Sequence, residues 1–259
     1  MTDPLAGVRA IVTGGASGMG AGVVGAYAAH GAHVISLDIQ AGPGTEIAGK
    51  ATAAGPGWAR FIEADVSGKA SVDGAFAAAT AELGGLDVLV HAAGIAPGAP
   101  AADIAVEDWD KVLAVNARGT FLTNQAAFRY LGQSGGRIIN FASSAGVIGL
   151  RNKAHYAASK GAVVAWTRTV AQEWGHLGIT VNMIAPAIAT PMYAKTRSLM
   201  APDQLAALDA TLKAEMPIDG RLGDIDRDLV PVLVFLAGPG SRFITGQIFS
   251  VDGGLMMVR

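Results

Sequence analysis

The chain has 259 residues, of which 51% are hydrophobic and 35 are glycine, a composition typical of one large α/β domain with many tight turns. Its formal net charge of −2 provides no basic surface for nucleic acid or for an anionic membrane. The absence of cysteine excludes disulfides, iron–sulfur clusters and thiolate zinc sites, and no other metal site is expected. Because no signal peptide or transmembrane segment is expected either, the sequence predicts a cytoplasmic protein.

Short apolar runs alternate with helical segments along the chain. The apolar runs predict seven strands, at residues 8–13, 32–37, 58–63, 86–90, 136–141, 179–184 and 247–251. Helices are predicted near residues 18–30, 69–84, 106–131, 155–177 and 225–237. Continuously apolar strands separated by helices indicate a parallel sheet that is covered on both faces. We therefore predict a doubly wound, Rossmann-like α/β fold that forms a single domain over residues 1–259.

Residues 187–215 interrupt this alternation with a loop and an extra helical segment. Long loops in compact domains often serve as lids. This one leaves the carboxyl end of a strand, which is where ligands bind in open parallel sheets. The segment is therefore predicted to be a substrate-loop insertion.

A glycine-rich loop joins the first strand to the first helix. Glycines at such a position let backbone N–H groups approach a pyrophosphate at the helix N-terminus. The spacing Gly14-x-x-x-Gly18-x-Gly20 differs from the commoner G-x-G-x-x-G, but its place between strand and helix favours a dinucleotide site over a mere tight turn. We expect Gly14, Ser17, Gly18, Met19 and Gly20 to contact the cofactor.

Asp38 ends the second strand, 18 residues after Gly20. An acidic residue there can accept hydrogen bonds from the adenosine ribose hydroxyls, and it would repel the additional phosphate of NADP. The following residue is Ile39, and Ser17 stands in the loop where a basic residue could sit. Asp38 and Ile39 are therefore assigned to an NAD site; the alternative is an aspartate at a loop tip that faces solvent.

The sequence Tyr156-Ala-Ala-Ser-Lys160 places a phenol and an ammonium on one face of a predicted helix. A unit charge about 4 Å away, at an effective dielectric near 20, is worth roughly 4 kcal/mol, or about three pKa units. Lys160 would therefore bring the Tyr156 pKa towards neutrality, where a general acid/base works best. By itself the pair could also be a solvated lysine beside a half-buried tyrosine.

Taken together and in order, these motifs resemble the short-chain dehydrogenase/reductase family over essentially the whole chain. The resemblance is carried by the glycine loop, Asp65-Val66, Ala93-Gly94, Asn116, Ser143, Tyr156-x-x-x-Lys160, Pro186, Thr190 and Val251-Asp252-Gly253-Gly254. Each of these motifs is weak alone, and their common order and register with the strands make the set specific.

The resemblance implies a role for each catalytic position. Tyr156 would be the general acid/base, and Lys160 would bind the nicotinamide ribose and lower the tyrosine pKa. Ser143, which the family spacing favours over Ser144, would hydrogen-bond the substrate oxygen. Asn116 would hold a water in a proton relay behind Lys160.

The resemblance also implies further contacts with the cofactor. Asp65 and Val66 would contact the adenine, and Ile188 and Thr190 would fix the nicotinamide carboxamide. The remaining cofactor positions are Ala92, Ala93, Gly94 and Pro186, together with Tyr156 and Lys160.

Two positions depart from the family pattern. His91 stands where the family usually has asparagine, and it is expected to support the sheet rather than to act in catalysis. Ala187 stands where the family usually has glycine, so its methyl group could restrict the space beside the nicotinamide. His155, next to the catalytic tyrosine, could reach substrate or could simply begin the helix.

The resemblance predicts an NAD-dependent oxidoreductase that interconverts a secondary alcohol and a ketone by hydride transfer. Candidate substrate residues are Ala145, Ala187, Met192 and Tyr193, a mostly apolar set that indicates an uncharged, fairly apolar small molecule; Arg151 could instead bind an acidic group. The alternatives are a 3-oxoacyl thioester reductase or 3-hydroxyacyl dehydrogenase and, more remotely, a non-catalytic nucleotide-binding regulator.

Family precedent also predicts a homotetramer. The helices near residues 106–131 and 155–177 would form its four-helix interface, and the apolar end at residues 255–258 would pack against a neighbouring subunit. Neither a nucleic acid nor a membrane is predicted as a partner.

Overall fold

In the computed structural model, which describes residues 3–257, the apolar runs of the sequence form seven parallel strands in one sheet. The strands are β1 (Arg9–Thr13), β2 (His33–Asp38), β3 (Trp58–Glu63), β4 (Val88–His91), β5 (Gly136–Phe141), β6 (Ile179–Pro186) and β7 (Ile248–Val251). Their order across the sheet is β3-β2-β1-β4-β5-β6-β7, so the crossover reverses between β1 and β4. This order confirms the predicted doubly wound, Rossmann-like fold.

Ten α-helices flank the sheet within the described part of the chain. They are α1 (Gly18–Ala29), α2 (Ala41–Ala54), α3 (Lys69–Leu83), α4 (Val106–Val112), α5 (Gly119–Leu131), α6 (Ala145–Ile148), α7 (Ala154–Trp174), α8 (Pro191–Ser198), α9 (Pro202–Glu215) and α10 (Val230–Ala237). Helices α8 and α9 occupy the segment predicted to be an insertion.

Alternating side chains of each strand are buried on opposite faces of the sheet. In β1, Ala10 and Val12 pack with α1, α2 and α10, whereas Ile11 packs with α3, α5 and α7. This is the period of two that a strand imposes. Both faces are apolar, which explains why the strands read as continuous apolar runs rather than alternating ones.

Two differences from the predicted elements have local physical causes. Helix α2 was not predicted, because Gly42, Pro43 and Gly44 near its start are poor helix formers. Gly44 is needed there for packing, since an added Cβ would lie 2.2 Å from the Phe61 ring. The single helix predicted over residues 106–131 is instead α4 and α5, joined by a π-helical segment, Leu113–Arg118.

The carboxyl ends of β1, β4, β5 and β6 lie at one edge of the sheet, and the loops that leave this edge carry most of the predicted site residues. Within residues 3–257, no helix is both long and apolar enough to cross a bilayer. The predicted packing of the apolar end includes Val258, which lies outside the described residues.

Candidate active site

The glycine loop lies against the backbone that follows β4. Gly14 has φ +70, and a Cβ added to it would lie 2.8 Å from the Cα and the backbone nitrogen of Ala93. A Cβ at Gly20 would lie 2.1 Å from the Gly14 carbonyl oxygen. Both positions therefore require glycine, and the loop leads directly into α1, which begins at Gly18.

Asp38 at the end of β2 is held against this loop. One carboxylate oxygen accepts a hydrogen bond from the Ala16 backbone N–H at 3.1 Å, and the other accepts from the Gln40 N–H at 3.1 Å. Ile39 is 65% exposed, and the Ser17 side chain makes no capping bond at the start of α1. Asp38 is thus fixed beside the loop, with no basic side chain next to it in sequence.

Asp65 and Val66 differ in what they can offer a ligand. The Asp65 carboxylate accepts hydrogen bonds from the backbone N–H (2.8 Å) and the hydroxyl (2.7 Å) of Ser67, and the residue is exposed. Val66 is buried, and its side chain packs against Gly119, since a Cβ added to Gly119 would lie 3.1 Å from a Val66 methyl carbon. The Val66 side chain is therefore packed inside the protein, whereas the Asp65 carboxylate lies at the surface.

Ser143, Tyr156 and Lys160 come together where α6 packs on α7. Gly146 in α6 permits this close packing, because a Cβ there would lie 2.6 Å from the Lys160 carbonyl carbon. The Lys160 ammonium lies 5.9 Å from the centroid of the Tyr156 ring and donates a 2.6 Å hydrogen bond to the Phe141 carbonyl at the end of β5. The Tyr156 phenol interacts with the Ser143 hydroxyl.

Burial dominates the ionisation of the Tyr156–Lys160 pair. It raises the pKa of the Tyr156 phenol above its ordinary value, and the hydrogen bond with Ser143 opposes this by lowering it. Burial also lowers the pKa of Lys160 from 10.5 to about 8. The sequence predicts the opposite direction for Tyr156, because spacing along a helix cannot show that both groups leave water and that the ammonium bonds to a carbonyl.

The Asn116 amide binds the backbone of the loop after β4. Its oxygen accepts from the Ile95 N–H at 2.9 Å, and its nitrogen donates to the Ile95 carbonyl at 2.9 Å and to the Ser159 hydroxyl at 2.9 Å. Both amide hydrogens are therefore used within the protein. The side chain thus positions the loop, and the water relay assigned to Asn116 from the sequence stays a prediction.

Ser159 and Ile95 were missed by sequence reasoning. The position of Ser159 inside the Tyr156-x-x-x-Lys160 motif was the one signal in the sequence for its role. Its hydroxyl also donates a hydrogen bond to the Tyr156 carbonyl at 2.7 Å. Ile95 takes part only through its backbone, so its residue type gave no signal.

His91 at the end of β4 is a buried, neutral ring. Its Nδ1 lies 3.0 Å from the Thr13 hydroxyl in β1 and 3.0 Å from the Thr123 hydroxyl in α5. Burial, followed by the positive charge of Lys160, lowers the His91 pKa from 6.5 to about 3. Thr13 in turn accepts from the Ala93 N–H at 3.2 Å, so the ring links β1, β4 and α5 beneath the glycine loop.

The segment after β6 carries the residues expected near the nicotinamide and the substrate. Ile188 is buried in the core, and the Thr190 hydroxyl accepts from the Tyr193 N–H at 3.2 Å, which caps α8. Met192 is 71% exposed. The Tyr193 phenol oxygen lies 3.3 Å from an Arg197 nitrogen. In α8, therefore, the Met192 side chain is exposed to solvent, whereas the Tyr193 side chain is hydrogen-bonded to Arg197.

The other predicted positions occupy different depths around this edge. Ala145 is buried, whereas Pro186, Ala187, Ala92 and Ala93 are partly buried and Gly94 is exposed. His155 is buried, and its Nδ1 has no hydrogen-bond partner among residues 3–257. The same residues contain no group of three or more His, Cys, Asp or Glu side chains that could hold a metal ion.

A family model described as enoyl-(acyl carrier protein) reductase, of the short-chain dehydrogenase/reductase type, matches residues 14–256. D-threitol dehydrogenase from Mycolicibacterium smegmatis is 38% identical over 252 residues, 96% of this chain and 93% of the relative. Trans-4-hydroxycyclohexanecarboxylate dehydrogenase from Sinomonas cyclohexanicum is 34% identical over 260 residues, 98% of this chain and 95% of the relative. The solved structure of a short-chain type dehydrogenase/reductase from Mycobacterium marinum superposes with a TM-score of 0.87 at 33% identity, covering 99% of this chain and 98% of that one.

Proposed function

Because the chain belongs to the short-chain dehydrogenase/reductase family, with alcohol dehydrogenases among its relatives, we propose that it is an NAD-dependent oxidoreductase that interconverts a secondary alcohol and a ketone. The observation that carries this proposal is the convergence of Ser143, Tyr156 and buried Lys160 beside the glycine loop. A proton-handling phenol next to a nucleotide site is what such a reaction requires.

The glycine loop and Asp38 fit a dinucleotide. Gly14 and Gly20 cannot accept a Cβ, so the loop stays compact at the start of α1, where the first helical N–H groups suit a pyrophosphate. The fixed carboxylate of Asp38 suits ribose hydroxyls better than a phosphate. Ser17, Met19, Ile39 and the Asp65–Val66 pair would complete the adenosine side. Ala92, Ala93, Gly94, Pro186, Ile188 and Thr190 would complete the nicotinamide side.

The protein's own groups handle the proton. In oxidation the Tyr156 phenolate oxygen takes the proton of the substrate hydroxyl, and in reduction the phenol returns it. The Ser143 hydroxyl hydrogen-bonds the same substrate oxygen, where charge changes during the reaction. Lys160 keeps a positive charge beside the tyrosine, and Asn116 holds the loop that borders Lys160. The cofactor, when bound, supplies the acceptor or donor of the hydride.

The residues around this edge support a substrate with a fairly apolar carbon skeleton. Ala145, Ala187, Met192 and Tyr193 offer methyl, thioether and aromatic surface, and apolar linings with few polar groups are usual in small-molecule sites. The threitol and hydroxycyclohexanecarboxylate relatives, by their names, act on alcohols of quite different polarity. A first panel should therefore contain a polyol, a simple cyclic alcohol, a carboxylated cyclic alcohol and a hydroxyacyl thioester.

The proposal is tested by oxidising this panel with NAD and with NADP and following the absorbance of the reduced nicotinamide. Tyr156→Phe should lower turnover by about 100-fold or more, since general acid/base groups contribute about 10²–10⁴, and should leave NAD affinity nearly intact. Tyr130→Phe, a partly buried tyrosine of α5, is the matched control. Full turnover by Tyr156→Phe would refute the acid/base assignment.

The choice of NAD has its own test. Asp38→Ala should narrow the preference for NAD over NADP, because it removes the carboxylate that the loop holds in place. A wild-type enzyme that already prefers NADP would show that the cofactor proposal is wrong.

A second candidate is reduction of a 3-oxoacyl thioester; the matching family model is named after an enzyme that acts on another acyl thioester, an enoyl-(acyl carrier protein). Asp38 argues against it, because such reductases generally use NADPH. Rapid reduction of acetoacetyl-CoA with NADPH, and no oxidation of the simple alcohols, would favour this candidate. A non-catalytic regulator would bind NAD and turn over no substrate of the panel.

We further propose one domain over residues 1–259, with α8 and α9 as its substrate loop, that assembles as a homotetramer in the cytoplasm. Val106, Trp109 and Phe121 on α4 and α5 are large apolar side chains exposed to solvent in the single chain, 69%, 42% and 37% respectively. Exposed apolar side chains on these two helices favour burial against a second copy. Sedimentation of the wild type and of Trp109→Glu tests this: a smaller species for the variant supports the interface, and a wild-type monomer contradicts it.

A further inference from the structure

Lys153 is a partly buried lysine immediately before α7. Its carbonyl accepts the 2.7 Å hydrogen bond from the Ala157 N–H that opens the helix. It is the N-cap residue of α7, with non-helical backbone angles (φ −135, ψ 29), and it precedes Tyr156 by three residues. Its side chain is placed by the loop after β4, which its ammonium contacts at Ala96.

The loop after β4 connects Lys160 to Lys153. At one end, a Cβ added to Gly94 would lie 3.5 Å from the Lys160 ammonium. Further along, the Lys153 ammonium donates a 2.5 Å hydrogen bond to the Ala96 carbonyl. The two lysines thus contact the same short loop, at positions two residues apart.

Backbone contacts hold this arrangement in place. The Ala99 N–H donates to the Asn152 carbonyl at 2.9 Å, and a Cβ at Gly98 would lie 3.1 Å from that carbonyl and 3.2 Å from the Lys153 ammonium. Asn152 has φ +60, in the left-handed region that residues other than glycine seldom adopt. Strained backbone of this kind persists where surrounding contacts fix it, and it is concentrated at ligand sites.

The charge of Lys153 is not balanced by an acidic side chain. No carboxylate of residues 3–257 lies within 4.0 Å of its ammonium, whereas Lys50 and Lys69 form ion pairs with Glu46 and Asp73. An ammonium has three donors, and the Ala96 carbonyl uses one of them. The Lys153 side chain is partly buried, and this burial lowers its pKa below the ordinary value.

We propose that Lys153 determines substrate specificity by binding an anionic group, such as a carboxylate, on the alcohol substrate. The inference rests on the proposed alcohol dehydrogenase function and deepens it. It replaces the uncharged substrate expected from the sequence with an apolar skeleton that carries an anionic end. The hydroxyl of such a substrate lies at Tyr156 and Ser143, and its anionic oxygens meet the free donors of Lys153.

The test compares two alcohols of similar shape, 4-hydroxycyclohexanecarboxylate and 4-methylcyclohexanol, with wild type, Lys153→Met and Lys153→Arg. A hydrogen bond to a charged group contributes enough for about a 10- to 100-fold effect. We expect Lys153→Met to lower kcat/KM for the carboxylate, relative to the methyl compound, by that factor. Lys153→Arg should recover most of the ratio, and raising the salt concentration should reduce the ratio in the wild type.

Lys50→Met, which removes an exposed lysine from α2, is the control and should leave the ratio of the two alcohols unchanged. An equal loss on both alcohols in Lys153→Met would mean that Lys153 only supports the fold of the loop, and no loss on either would mean that it does not contact substrate. Both results overturn the proposal.

A binding experiment separates this proposal from the proposed function. Cyclohexanecarboxylate and cyclohexylmethanol are titrated calorimetrically into wild type and Lys153→Met in the presence of NAD. Weaker binding of the carboxylate alone to Lys153→Met supports the anion site even if no alcohol is oxidised. Oxidation of the neutral alcohol with no difference in binding refutes the anion site and leaves the dehydrogenase function standing.

Discussion

His91 gives the protein a pH-dependent stability that follows directly from its burial. In the folded chain burial and the nearby Lys160 charge lower its pKa to about 3, whereas its ordinary value is 6.5. Because the unfolded chain binds the proton more readily, this contribution to stability is complete above the ordinary pKa. It is lost progressively as the pH falls towards the folded pKa.

The magnitude between two accessible pH values follows from the two pKa values. From pH 7 to pH 5, a single group with these pKa values lowers the free energy of unfolding by about 2 kcal/mol. Other groups also change the stability over this range. They are common to the wild type and a His91 variant, so they cancel when the two pH dependences are subtracted.

The assay is urea unfolding at pH 7 and pH 5, followed by tryptophan fluorescence at one protein concentration. His91→Asn keeps a hydrogen-bonding group near Thr13 and Thr123 but removes the titration. Whatever its absolute stability, its loss between pH 7 and pH 5 should be smaller than that of the wild type by about 2 kcal/mol. His176→Asn, which replaces an exposed histidine after α7, is the control.

Equal pH dependences for wild type and His91→Asn would refute the reasoning. A direct measurement on the wild type checks the same point without a variant. The nitrogen resonances of the His91 ring should keep the pattern of a neutral imidazole at pH 5, and a protonated ring at that pH would contradict the burial argument.

Three further predictions concern the site. Ser143→Ala removes the hydrogen bond that lowers the Tyr156 pKa, so the rise of kcat/KM for alcohol oxidation with pH should move to higher pH; an unchanged profile would contradict the contact. Asn116→Ala leaves the backbone of Ile95 without its partners and should cost about 2–4 kcal/mol in urea unfolding, with slower turnover. Gly14→Ala places a Cβ against the backbone after β4 at a residue with φ +70, and Gly25→Ala, whose added Cβ meets open space, is its control. Calorimetric titration should show that NAD binds Gly14→Ala at least about tenfold more weakly than it binds Gly25→Ala. Equal NAD affinity of those two variants would show that the loop is not a cofactor cradle.

The sequence predicted the fold well because its main signals are local. Strands buried on both faces must be apolar throughout, and the seven apolar runs therefore marked β1 to β7 to within two residues at each end. Helix α2 escaped prediction because Gly44 is selected by a distant neighbour, Phe61, rather than by helix propensity. The π-helical segment Leu113–Arg118, which carries Asn116, was likewise not predicted.

The sequence by itself determined which groups belong to the candidate site and their order along the chain. These groups are the glycine loop, Asp38, Ser143 and the Tyr156–Lys160 face of one helix. Spacing of four on a helix is a local property, and the tertiary structure cannot change which residues share that face. The sequence also identified His91 as a departure from the family pattern.

Only the tertiary structure decided the environments of these groups. The direction of the Tyr156 pKa shift depends on burial. The contacts of the Asn116 amide depend on the backbone of Ile95, and the position of the Lys153 ammonium depends on the Ala96 carbonyl, 57 residues away in the chain. Each of these is a through-space relation between segments distant in sequence. Desolvation and hydrogen bonding act at such contacts, so residue type and spacing fix which groups are present, while packing fixes their ionisation and their partners.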